Sequence, residues 1–96
     1  MTRRSIMQDA SEPRCYVTGA TSGLHWHHIV HGPNRSMAER EGLTCYLRAD
    51  VHMALHDHRE PWSDLDTRLK RECQRRFEET GRTREEWRKL VGKSYL

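Results

Sequence analysis

Leu24-His25-Trp26-His27-His28-Ile29-Val30-His31-Gly32 and, further along, Val51-His52-Met53-Ala54-Leu55-His56-Asp57-His58 contain all seven histidines of a 96-residue chain. The first stretch is β-prone from Leu24 to Val30, and Gly32-Pro33-Asn34 breaks it. The second sets His52 and His56 four apart, which puts them on one face of a helix. Between them, Ser36 to Glu41 predicts a short helix closed by Gly42. Leu43-Thr44-Cys45-Tyr46-Leu47 alternates and reads as the second arm of a β-hairpin with a long loop. Asp50 can cap a helix from Val51 to His58, and Glu60-Pro61 ends that unit. A hairpin followed at once by a helix, with histidines on both, is a ββα unit able to hold one metal ion or phosphate between its parts.

Working outward, residues 1–13 carry few apolar positions and end in Glu12-Pro13, so a flexible N-terminal arm is expected there. Cys15-Tyr16-Val17-Thr18-Gly19 reads as a short strand entering a turn that runs to Gly23. Towards the C-terminus, Leu65, Leu69, Cys73 and Phe77 recur every four residues, an apolar stripe on a helix from about Asp64 to Thr80. Gly81 stops it. Thr83-Arg84-Glu85-Glu86 matches the capping box of a last helix whose apolar face is Trp87, Leu90 and Val91, with Gly92 as its stop. The expected fold is α+β in a single domain: the ββα core over 14–60, with two C-terminal helices over 61–96 packed on it.

Composition narrows the function. Hydrophobic residues make up 34% and charged residues 32%, so the core is small, and a domain of this size often needs a metal, a partner or tight helix packing for stability. No run of about 18 apolar residues exists, which excludes a membrane-spanning helix. Met1-Thr2-Arg3-Arg4-Ser5-Ile6-Met7 lacks the apolar stretch of a secretory signal. Cys15, Cys45 and Cys73 are odd in number and widely spaced, which argues against a disulfide framework and for a reducing, cytoplasmic setting. A net charge of +3 mildly favours an anionic partner.

The histidines permit specific chemistry. His27 and His28 point to opposite faces of a regular strand, but near a bulge or strand end adjacent residues can approach one centre. Imidazole suits Zn²⁺, Ni²⁺ and Mn²⁺-type ions, and a neutral imidazole suits a general base that activates water. Chance clustering and a purely structural zinc site are the competing readings. His25, His31 and His58 read as supporting or ordinary surface residues.

From Cys15 onward the chain resembles the small phage and prophage HNH (ββα-metal) endonucleases. Cys15-Tyr16-Val17-Thr18-Gly19 is similar to their C-x-x-C-G knuckle. His27-His28-Ile29-Val30-His31-Gly32-Pro33-Asn34-Arg35 is close to H-H-I-x-x-G-x-N-R. Tyr46-Leu47 followed by His52 and His56 stands where the family carries L-C-x-x-C-H and a further V-H, and Leu65 to Glu72, Thr83 to Trp87 and Gly92 to Leu96 are similar to its helical tail. The resemblance implies His27 and His52 as metal ligands, with His56 as a further ligand or a phosphate contact. It implies His28 as general base and Asn34 as the asparagine that hydrogen-bonds backbone or histidine and fixes the loop.

The implied activity is metal-dependent hydrolysis of DNA phosphodiester bonds with one divalent ion, Mg²⁺, Mn²⁺, Ni²⁺ or Zn²⁺. Arg35, Arg40 and Arg48 flank the site, and Lys70, Arg71 and their basic neighbours could grip the DNA backbone without reading sequence. Interleaved Glu72, Glu78 and Glu79 make a solvated helix face the ordinary alternative. The chain departs from the family at its structural zinc, because the four thiolate places read Cys15, Thr18, Arg48 and Val51. Threonine, arginine and valine cannot replace a zinc-binding thiolate, so no Cys₄ zinc is expected, and Cys45 and Cys73 read as buried small residues. Two other classes stay open: an inactive metal- and nucleic-acid-binding module, and a phage protein that binds and inhibits a host protein.

Overall fold

The computed structural model describes residues 3–96, a small α+β domain with one hairpin and, among the described residues, four α-helices. Strand β1 (Leu24–His28) pairs antiparallel with β2 (Thr44–Arg48) in the register Leu24↔Arg48, Trp26↔Tyr46, His28↔Thr44. A 3-10 turn (Gly32–Asn34) and helix α1 (Arg35–Glu41) fill the long connection between them. Helix α2 (Ala49–Asp57) follows β2 without a linker, and α3 (Leu65–Glu79) and α4 (Arg84–Val91) complete the chain. No helix among the described residues is long and apolar enough to cross a membrane.

The alternation of the strands decides which side chains face the helices. On β2, Cys45 and Leu47 are fully buried; across the sheet on β1, Cys45 faces His27, also buried, and Leu47 faces the exposed His25. Trp26 and Tyr46 meet edge to face on the opposite face, with ring centres 4.7 Å apart. Ile29 and Val30 leave the strand yet stay in the core with Leu43, Val51 and Leu55. Gly42 ends α1 with φ of 75°, and a Cβ there would stand 3.0 Å from the Arg4 side chain and 3.2 Å from the Ile6 backbone nitrogen. Glycine is required at 42 by both conformation and space.

Three expectations need correction. Of the arm expected over 1–13, residues 1 and 2 lie outside the described residues, and the remainder is tied to the outer edge of β2. Ile6 N–H donates to Gly42 O (2.8 Å), Ser5 Oγ to Thr44 O (2.6 Å) and Tyr46 N–H to Gln8 Oε1 (2.7 Å), while Met7 is buried. These bonds occupy backbone groups that a two-stranded hairpin would leave open on its edge. Cys15 to Gly19 is a turn and not a strand: Gly19 N–H closes back onto Cys15 O at 2.9 Å, with φ of 78° at Gly19. Asp50 does not cap α2, because Arg48 occupies the cap position and Asp50 pairs with its guanidinium at 2.6 Å.

The C-terminal helices follow their pattern. Leu65, Leu69, Cys73 and Phe77 are buried, and Phe77 meets the fully buried Trp87 of α4 at 5.4 Å between ring centres. Thr83 and Glu86 form both halves of the capping box. Burial pushes the Cys73 thiol up to about 12 and raises Cys45 further, so both behave as small apolar residues.

Candidate metal centre

The direct passage from β2 into α2 lays the first turns of that helix across the hairpin, so His52 and His56 face His27. Ligand nitrogens of His27, His52 and His56 all lie within 4.8 Å of one another. The Nε2 atoms of His52 and His56 are 3.1 Å apart, close to the separation of about 3.3 Å that tetrahedral bonds of 2.0–2.1 Å impose on two ligands. His27 Nε2 is buried and, among the described residues, has no hydrogen-bond partner. A buried, unsatisfied imidazole nitrogen costs roughly 1–3 kcal/mol unless something occupies it. These residues therefore fit a divalent ion: the donors are imidazoles, their spacing suits one centre, and the most buried of them lacks a partner.

The electrostatics agree. Burial, and then the charge that His52, His31 and His56 would carry, push His27 down to about 3. Burial and the neighbouring His56 and His25 push His52 down to about 4. Both imidazoles are thus neutral at pH 7, the form that ligates metal.

The structure brings further residues into the cluster. His25 Nδ1 is 2.9 Å from His52 Nδ1, so His25 supports the ligand face of α2. His31 stands 5.3 Å from His27 and 5.8 Å from His56 by ring centres, and its Nε2 donates to Asp66 Oδ1 at 3.0 Å. His27, His31 and Asp66 form a second group whose ligand atoms lie within 4.8 Å of one another. Burial opposes the charge on Asp66, but hydrogen bonds from His31 and Lys70 outweigh it and hold the carboxyl well below its ordinary range. Neither His31 nor Asp66 is among the ligands expected from the sequence. The one hint was that His27 and His31 repeat the spacing of four seen at His52 and His56; nothing in the sequence connected Asp66 on α3 to either. His58 lies apart, closing α2 with φ of 52°.

His28 lies beside the ligand group, at the rim of the same cleft of about 290 Å³. Its Nε2 is 2.8 Å from Glu39 Oε1, which also accepts from Trp26 Nε1 at 2.7 Å. Burial works against the ionised Glu39, yet the bonds from Trp26 and His28 hold its pKa below the usual carboxylate value. Glu39, missed in the sequence because it is on α1 and its partners are on β1, fixes the imidazole ring of His28 and leaves Nδ1 as its basic nitrogen.

The remaining expected site residues divide. Arg35 lines the cleft. Arg48 is paired with Asp50, and Lys70 with Asp66 at 2.7 Å. Arg71 is exposed and, among the described residues, makes no ion pair. Asn34 occupies the N-cap position of α1 and its side chain makes no capping hydrogen bond there, in contrast to the loop-fixing contact expected of it. At the four thiolate places, Cys15 and Val51 are buried, Thr18 lies in the turn, and Arg48 points to Asp50. Compared with known proteins, the chain matches no protein-family model, no curated protein and no solved structure.

Proposed function

We propose that this chain is a metal-dependent endonuclease of the HNH type that hydrolyses DNA phosphodiester bonds. The observation that carries the reading is the convergence of His27 on β1 with His52 and His56 on α2, beside a histidine held by a carboxylate. A divalent ion on those three imidazoles would stabilise the charge that develops on the phosphate and the leaving 3′-oxygen. His28 accepts the proton of the attacking water at Nδ1. Glu39 keeps the ring oriented and offsets the charge of the imidazolium, and Trp26 holds Glu39 in place. Arg35 at the cleft offers a guanidinium to a phosphate oxygen, and Arg71 is available for the backbone of the same duplex.

A second reading, a binding module without catalysis, is favoured by one observation. Arg48 and Lys70, two of the cations expected beside DNA, are instead engaged by Asp50 and Asp66.

Supercoiled plasmid incubated with the protein and Mg²⁺, Mn²⁺, Ni²⁺ or Zn²⁺ in turn separates the two. Wild type is expected to nick it with at least one ion. His28→Ala is expected to lose about 10²–10⁴-fold in rate with an unchanged circular dichroism spectrum. A His28→Ala protein that cuts like wild type removes His28 from the role of base. Wild type that binds DNA and ion but cuts with none of them leaves the binding module.

A further inference from the structure

His27 is shared by two groups of potential ligands, and only one of them belongs to the hairpin and α2. The other runs through His31, just beyond β1, to Asp66 in the first turn of α3. An ion held by imidazoles alone brings two positive charges into a partly buried cluster with nothing to balance them. Glu39 is already engaged by His28 and Trp26 and belongs to neither ligand group. Asp66 is the carboxylate that reaches His27, and it is held ionised with Oδ1 on His31 and Oδ2 on Lys70.

We propose that Asp66 is a ligand of the centre, joining His27 and His31 so that a divalent transition-metal ion of the zinc class clasps α3 to the hairpin. The proposal rests on the metal-centre part of the function proposed above and not on nuclease activity. An imidazole-rich set with one carboxylate suits Zn²⁺, Co²⁺ or Ni²⁺, whereas Mg²⁺ prefers oxygen ligands. The ion satisfies the unpartnered Nε2 of His27, and Asp66 supplies the negative charge that the histidines lack. Lys70, 2.7 Å from Asp66, is then a competitor: its ammonium and the ion both draw on the same carboxylate. The α3 helix becomes part of the centre as well as part of the core.

Zn²⁺ and Co²⁺ binding to the full chain, measured by calorimetry and by the visible spectrum of Co²⁺, tests this directly. Asp66→Asn keeps an acceptor for His31 and is expected to weaken binding about tenfold or more. Lys70→Ala is expected to tighten it, because a competing cation is gone. If Asp66 served only to seat α3 through its ion pair, Lys70→Ala would weaken binding as Asp66→Asn does, and that result overturns the proposal. So does an Asp66→Asn protein that binds like wild type. Hydrogen exchange adds a second readout: Zn²⁺ is expected to slow amides at the start of α3 in wild type but not in Asp66→Asn, while amides of α2 slow in both. Protection confined to α2 in wild type also overturns it. A chain that binds Zn²⁺ through Asp66 yet never nicks DNA refutes the nuclease reading alone. One that nicks DNA and binds Zn²⁺ equally well as Asp66→Asn refutes this proposal alone.

Discussion

Gln74 on α3 and His27 on β1 are both buried polar side chains in one small core, and the molecule treats them in opposite ways. The Gln74 amide is fully engaged: Nε2 donates to Ser94 Oγ and Glu78, and Oε1 accepts from Tyr95 N–H at 2.7 Å. It ties the C-terminal tail down. Nearby, the indole N–H of Trp87 donates to Lys93 O at 2.9 Å. His27 is as deeply placed, but its Nε2 has no partner, and the groups around it are other imidazoles and one carboxylate. A buried polar group satisfied by its own chain is a structural device; one left open among side chains that could ligate a metal is a place for something else.

That contrast can be broken by experiment. The largest stability effect should come from the satisfied end. Trp87→Ala empties the contact with Phe77 and is expected to cost about 3–5 kcal/mol in urea unfolding, with or without chelator. Rescue of that variant by added ion would mean the two regions are not separate. A sharper test replaces each buried polar residue with methionine in chelator. Gln74→Met leaves Tyr95 and Ser94 without their partner and is expected to cost roughly 1–3 kcal/mol. His27→Met removes an unsatisfied nitrogen and is expected to be neutral or stabilising, while abolishing Zn²⁺ binding. Equal costs for the two would end the distinction.

The smallest effect concerns acid. Arg82 bridges Glu41 of α1 and Glu86 of α4, and its hydrogen bond to Glu41 holds that carboxyl below its ordinary value of 4.5. Because the folded value is the lower one, the stabilisation is complete above about pH 4.5 and is lost as pH falls through the folded value. The groups are solvent-screened, so a double-mutant cycle of Glu41→Gln with Arg82→Met should give only about 0.2–1 kcal/mol at pH 7 and nothing in strong acid. A coupling that persists when Glu41 is protonated would contradict the ionic origin.

Legibility followed the physical range of each signal. The stripe Leu65–Leu69–Cys73–Phe77 and the capping box at Thr83 are local, repeating or short-range patterns, and they stand in the structure as read. The N-terminal segment carries Ile6 and Met7 as apolar anchors, too few to mark an ordered edge, and the rest of its attachment is made by Ser5, Gln8 and backbone groups, which leave no trace in a hydropathy pattern. Cys15 to Gly19 looked like a strand because its residues are β-prone, but a turn closed by its own backbone overrode that preference. For the centre, His27, His52 and His56 were accessible from spacing and resemblance. Glu39, His31 and Asp66 were not, since each meets its partner across a fold contact.

By itself the sequence determined which residue types were on hand and the periodicity that makes a hairpin run into a helix, because side-chain period and helix caps act over a few residues. Only the tertiary structure decided who faces whom. Burial stripped His27 of water without giving its nitrogen a partner, the edge of β2 took up the N-terminal segment, and α3 carried a carboxylate to the histidines. Those outcomes depend on distances between segments far apart in the chain, and no local pattern encodes them.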